Sequence, residues 1–157
     1  MEAAAQALSL SAENYVNDPV IEQQWAIKAF QHSEIYFNLL CAIADPKSLR
    51  LTPNDDKIYG RFREMFPDFN VDVLDENTLK TEQAKQKWRE FCEQFRDFVE
   101  DYNFGTLVRT RADGEYSEEN TILLVRIQFY AIEIARNREG YNSRVRHLYG
   151  TKKESVS

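Results

Sequence analysis

The 157-residue sequence predicts an α+β domain. Helices pack on a small, mainly antiparallel sheet of two to three strands, in the order α-α-β-α-β-β-α. Three observations carry this expectation. Apolar residues recur at steps of three and four along several stretches, the mark of a helix with a buried face. Residues 69–73 alternate apolar with polar side chains, the period of a half-buried strand. Residues 104–125 hold two β-branched runs around Ala112-Asp113-Gly114, the pattern of a hairpin. A composition 43% apolar and 13% aromatic is that of a folded chain, and the length provides one core. Residues 17–142 are expected to form that domain, after a weakly ordered segment 1–16 and before a disordered tail 143–157.

The elements follow in order. The lead-in offers at most a frayed turn over 3–8. Asp18 and Pro19 then suit the cap and first turn of a helix that runs to about Ala44 and stops at Asp45-Pro46. Its predicted inner face is Ile21, Trp25, Ala29, His32, Tyr36, Leu39 and Ile43, widened by Ala26, Phe30, Phe37 and Leu40. About 26 residues span roughly 39 Å, so this helix is the backbone of the domain. Thr52-Pro53-Asn54-Asp55 resembles a capping box, and the short helix behind it presents Ile58, Phe62, Met65 and Phe66 before Pro67. After the strand at 69–73, a third helix is expected over 81–99, with Ala84, Trp88, Phe91, Cys92, Phe95, Phe98 and Val99 on its apolar side. The hairpin has its connection at 112–119. A rival reading starts a helix at Glu118 with Ser117 as cap, but Thr121, Ile122 and Val125 favour a strand. From Ile127 the helical period returns, and Gly140 is placed to close the helix with a left-handed residue.

Charge and chemistry narrow the functional classes. Net charge is −6, with 11 Lys/Arg against 19 Asp/Glu before residue 105 and 9 against 7 from there on. An acidic body argues against nucleic acid as a ligand and suits a basic protein partner. The five glycines (Gly60, Gly105, Gly114, Gly140 and Gly150) are too far apart for a dinucleotide or methyl-donor loop. His32, His147, Cys41 and Cys92 show no metal-ligand spacing; the two thiols read as free and buried, and His32 as a packed core histidine. The pairs Asp55-Asp56, Glu100-Asp101 and Glu118-Glu119 are explained by capping and solvation. No catalytic, cofactor or metal residues are assigned. No apolar run approaches membrane-spanning length and the N-terminus does not resemble a secretory signal, so a soluble cytoplasmic protein is expected.

The charged end of the last helix is the candidate site. Arg126, Arg136, Asn137, Arg138, Glu139 and Tyr141, with Glu100, Asp101, Tyr102 and Asn103 beside them, form a partner-docking surface of residue types that interfaces favour. The competing reading is an internal ion-pair network fixing the helix against Glu100 and Asp101.

Four runs together resemble the polysaccharide biosynthesis domain-containing protein family. They are Trp25-Ala26 with His32-Ser33-Glu34, then Glu100-Asp101-Tyr102-Asn103-Phe104-Gly105-Thr106-Leu107, then Glu119-Asn120-Thr121-Ile122, and finally the run RIQFYAIEIARNREGY over 126–141. The resemblance covers about residues 10–142. It implies a cytoplasmic, dedicated chaperone of newly made elongation factor 1-alpha, without cofactor. Such a protein engages the emerging GTP-binding domain at the ribosome, helped by the nascent-polypeptide-associated complex, and holds it until nucleotide binding and folding release it. The family name carries the alternative, a methyltransferase or other enzyme of polysaccharide biosynthesis.

Overall fold

The computed structural model describes residues 19–150, with the side chains of 19–22 excepted. The lead-in 1–16, its turn at 3–8, the Asp18 cap and the last part of the tail, 151–157, lie outside the described residues.

Helix α1 (Pro19–Ala42) is the longest element, as its periodicity predicts. It ends short of Asp45, whose carboxylate instead caps a 3₁₀ turn (Pro46–Ser48) through the Lys47 amide at 3.1 Å. Helix α2 (Asp55–Met65) starts as a variant of the expected capping box. The Asp55 carboxylate reaches back to the amides of Leu51 (2.8 Å) and Thr52 (2.7 Å), while Thr52 Oγ1 accepts from the Asn54 amide at 2.8 Å. Those bonds explain why Asp55 is buried although ionisable.

The segment 69–73 is not a strand. Phe69 and Val71 are buried, but the Asn70 side chain accepts from the amides of Asp72 (2.9 Å) and Val73 (3.1 Å). This local turn takes the amides a ladder would need. Only Val73 forms a bridge, to Arg111, and its side chain faces solvent. A short helix α3 (Asn77–Lys80) leads into α4 (Glu82–Glu93), which Thr81 caps through the Ala84 amide. Helix α4 is shorter than predicted. From Gln94 the amides bond three residues back, to Phe91, Cys92 and Glu93, so the chain tightens into turns. Phe95 and Val99 still reach the core, whereas Phe98 points outward under the Lys57 ammonium, 3.5 Å from the ring centre.

The hairpin forms where expected. Strands β1 (Gly105–Arg109) and β2 (Thr121–Val125) pair antiparallel, Gly105 opposite Val125 and Arg109 opposite Thr121. Helix α5 (Arg126–Arg138) follows β2 without a loop, and Gln128 Oε1 accepts the Val125 amide at 3.1 Å. Every residue from Ala131 to Asn137 is buried, so α5 is enclosed for two turns. Gly140 has φ +91°, the left-handed closure its position predicts. Beyond it the structure departs from the expected disordered tail. Ser143–Val145 forms a helical turn, α6, and Arg146–Gly150 a π-helical one. Val145 is fully buried, and Tyr149 packs edge-on against Phe37 and donates to the Asp113 carbonyl at 3.1 Å.

The core is one continuous cluster. Aromatic rings of α2, α4 and the intervening segment interlock, with Trp88 stacked on Phe66 at 4.3 Å and on Phe62 at 5.7 Å. Helix α5 joins this cluster to α1 and the sheet through Ile127, Phe129, Ile132 and Ile134.

Candidate functional site

The charged end of α5 divides between interior and surface. Glu133 and Arg136 are fully buried, and Asn137 is nearly so. Their partners come from other elements. Arg109 of β1 is also fully buried, because its strand position turns it under α5. The Glu133 carboxylate accepts from Arg136 at 2.8 Å, Arg109 at 3.3 Å, the Tyr36 hydroxyl at 2.8 Å and Asn142 Nδ2 at 2.9 Å. Arg136 also donates to the carbonyls of Val71 (2.6 Å) and Arg109 (2.8 Å), and Arg109 to those of Ala112 (2.6 Å) and Gly114 (3.0 Å). Asn142 closes the ring by accepting from Arg109 at 2.7 Å and donating to Asn137 Oδ1 at 2.7 Å.

Burial pushes the Glu133 carboxyl up, but the guanidiniums of Arg109 and Arg136, with the bonds from Asn142 and Tyr36, outweigh it and hold it at about 2. Burial first, and then the Glu133 charge, push the Tyr36 hydroxyl well above its usual range. Glu133 is therefore a fixed anion and Tyr36 a fixed donor.

Arg136 and Asn137 thus belong to the ion-pair network, not to an exposed docking surface. The acid at its centre is Glu133, not Glu100 or Asp101, which are both exposed. Sequence reasoning missed Arg109, Tyr36 and Asn142 as partners. The available signal was Arg109 itself, a charge inside the strand run Gly105–Arg109.

The remaining candidates lie outside the network but are mostly engaged. Arg138 binds Asp56 at 2.6 Å and sits over the Tyr59 ring. Glu139 is clamped by Arg63 through two bonds, 2.7 and 2.6 Å, and accepts from the Tyr59 hydroxyl at 2.8 Å. Arg126 lies over the Phe104 ring. Tyr141 shares a shallow cleft with Arg63 and Glu139. The turn at 100–103 lies beside the start of α5: Glu100 lines a cleft together with Arg126, half-buried Tyr102 receives the Ile127 amide on its carbonyl at 2.9 Å, Asp101 adopts φ +54° and Asn103 is exposed. These residues do not converge on one pocket.

A different surface stands out. The inner face of α1 is Ala29, Ser33, Tyr36 and Leu40. Its outer face carries Ile27 (51% exposed), Phe30 (69%), Ile35 (70%) and Leu39 (42%). Phe30 and Leu39, expected inside, are therefore outside. His32 is also on the exposed side, its ring edge-on to Phe129 at 5.1 Å, and is not a core histidine. Phe30 forms the lip of an apolar cleft of about 400 Å³ shared with Leu107, Tyr116 and Thr121. These side chains are spread over the outward half of the helix, Phe30 and Leu39 on opposite flanks with exposed Gln31, Glu34 and Asn38 between them, and exposed apolar side chains of this size suit contact with a partner. The sequence held a signal for it: α1 has more apolar residues than one stripe can bury.

Among the described residues no group of His, Cys, Asp and Glu is placed to hold a metal ion, and no helix is long and apolar enough to cross a membrane.

Comparison with known proteins places these features in context. Residues 21–147 match the family model described as PBDC1 protein. The mouse and human proteins named Protein PBDC1 are 57% and 56% identical to this chain over 141 residues, 90% of its length. The chain spans 71% of the mouse protein and 60% of the human one. A solution NMR structure of a Saccharomyces cerevisiae protein superposes with a TM-score of 0.76 at 43% identity, covering 88% of this chain and 97% of that one.

Proposed function

The chain belongs to the PBDC1 protein family, and from that premise we propose that it is a binding protein, a dedicated chaperone of elongation factor 1-alpha. It holds the newly made GTP-binding domain at the ribosome, alongside the nascent-polypeptide-associated complex, in the cytoplasm. The observation that carries this reading is the set of exposed apolar side chains that α1 presents among the described residues. Ile27, Phe30, Ile35 and Leu39 offer apolar area that an incompletely folded client can bury, worth about 25 cal/mol per Å² covered. The acidic net charge supports a basic client by favouring encounter.

Affinity purification of the tagged chain from a translating extract, followed by mass spectrometry, tests the reading. Elongation factor 1-alpha should be recovered with its GTP-binding domain, and depletion of the chain should lower its soluble amount while other GTPases stay constant. Phe30→Asp with Ile35→Asp should cut client recovery at least about tenfold without changing the melting temperature, because both side chains are solvent-facing. Undiminished recovery refutes α1 as the docking face, and no recovery by the parent chain refutes the chaperone reading. Thermal-shift titration with S-adenosylmethionine and sugar nucleotides separates the enzyme alternative. No shift is expected, and a saturable one favours the enzyme.

A further inference from the structure

The two strands treat their outer edges differently. The bonds from the Arg126 amide to the Phe104 carbonyl and from the Thr110 amide to the Asn120 carbonyl set the register. They make 105, 107 and 109 in β1, and 121, 123 and 125 in β2, the residues whose backbone groups point away from the partner strand. On β1 each outward carbonyl is occupied. Gly105 accepts from Trp25 Nε1 (3.0 Å), Leu107 from the Tyr116 hydroxyl (3.4 Å) and Arg109 from Arg136 (2.8 Å). On β2 the Val125 amide is taken by Gln128, but the outward groups of Thr121 and Leu123 have no backbone or side-chain partner among the described residues. An unpaired strand edge is a template for another strand.

That edge borders a cleft of about 450 Å³. Leu123, Leu124 and Val125 all line it. Asn103 and Gly105, the β1 residue opposite Val125, line it too, so the cleft lies at the Gly105–Val125 end of the hairpin and takes in the β2 edge at Leu123, while Thr121 stands outside it. The floor is apolar, with Leu79, Trp88 and Cys92 from the facing helices. The rim is basic: Lys80, Lys85 and Arg89 line it and no Asp or Glu does. Lys80 reaches exposed Glu76 at 3.5 Å, while Lys85 and Arg89 form no ion pair among the described residues. On a chain of net charge −6, three cations at an open strand edge are a local reversal of sign.

We propose that this cleft receives an extended segment of a partner polypeptide in which apolar residues alternate with Asp or Glu. The segment adds to β2 as a third strand. Its backbone bonds Leu123 within the cleft and Thr121 only where the segment runs on beyond it, one set of its side chains enters the apolar floor, and the acidic set meets Lys80, Lys85 and Arg89. This surface is distinct from the outer face of α1 and does not depend on the client named for that face.

The probe is a fluorescein-labelled ten-residue peptide of alternating Glu and Val, with a Lys-Val peptide as control, titrated into the full chain by anisotropy and followed by amide NMR. The acidic peptide should bind and the basic one should not, and the Leu123 amide should shift and exchange more slowly on binding. Lys85→Glu with Arg89→Glu should weaken the acidic peptide about tenfold or more, and added salt should do the same. Leu123→Pro deletes the outward donor, along with the leucine side chain at the cleft, without removing a ladder bond to β1, a change edge strands tolerate, and should abolish binding. If that variant fails to fold, the charge reversal, at two exposed side chains, still decides the matter. Equal binding of both peptides, binding indifferent to the reversal, perturbations that map to Ile35 rather than Leu123, or no binding at all would each overturn the proposal. A Leu123 amide already protected without peptide would also overturn it, because the edge would then be filled by another part of the chain or by a second copy.

Discussion

Replacing Glu133 with glutamine removes the negative charge that, among the described residues, pairs with two fully buried guanidiniums. The shape of the side chain is retained, so the change tests charge rather than packing. The carboxyl sits at about 2 against an ordinary 4.5, a difference that corresponds to roughly 3 kcal/mol in favour of the native state near neutral pH. Leaving buried charges unpaired costs about 3–5 kcal/mol in comparable cases, so the two figures agree in scale. At about 2–4 °C per kcal/mol for a chain of this size, E133Q should melt roughly 6–20 °C lower. Urea unfolding followed by circular dichroism gives the free energy, and repeating it across pH gives the linkage. In the parent chain the unfolded state takes up the Glu133 proton as pH falls through about 4.5, while the native state resists until about 2. The unfolded state therefore binds more protons across that window, and stability is lost as pH falls through it. E133Q should lack this component and show a flatter profile between those limits. A stability loss below about 1 kcal/mol, or an unchanged acid profile, would refute the view that Glu133 holds the centre of the fold.

Three further outcomes are expected. A β-carbon at Gly150 would lie 2.5 Å from the Cys41 carbonyl oxygen, so Gly150→Ala should destabilise the domain by about 1–3 kcal/mol in urea melts; a neutral result would mean the π-helical turn is not docked on α1. Trp88→Ala removes a ring stacked on Phe66 and Phe62 and should cost about 3–5 kcal/mol, measured the same way, and a loss under 1 kcal/mol would contradict the aromatic cluster as core. Half-buried Cys92 has its thiol pushed up to about 12 by burial and then by the charge of Glu93, so labelling by a disulfide reagent at pH 8 should be far slower in the native chain than in urea; rapid native labelling located at Cys92 by mass spectrometry would contradict the raised thiol.

Much of this architecture is legible in the sequence because it is set by local chemistry. The extent of α1, the start of α2 at Asp55, the Thr81 cap, the hairpin turn and the left-handed Gly140 all depend on neighbours within a few residues. The errors fall where local and distant partners compete. Alternation at 69–73 predicts a strand, but the Asn70 side chain takes the amides, and the outward edge of β1 near it is filled by Arg136. At the end of α5 the sequence allows both a docking surface and an ion-pair network with Glu100 and Asp101; three buried partners, Tyr36 of α1, Arg109 of β1 and Asn142 after α5, make it a network centred on Glu133.

The sequence by itself determined which residues could be helical, which could pair as a hairpin and where the chain must turn, together with the family to which it belongs. The tertiary structure decided what each face meets. Periodicity shows that α1 has apolar residues on more than one side, but only the packing of α5, β1 and the turn at Arg146–Gly150 shows that, among the described residues, Ile27, Phe30, Ile35 and Leu39 stay exposed. Likewise an arginine in a strand reads the same whether it is solvated or buried. Arg109 is buried because Glu133, 24 residues away, folds back over it. That choice rests on desolvation and on a distant counter-charge, neither of which a neighbouring residue supplies.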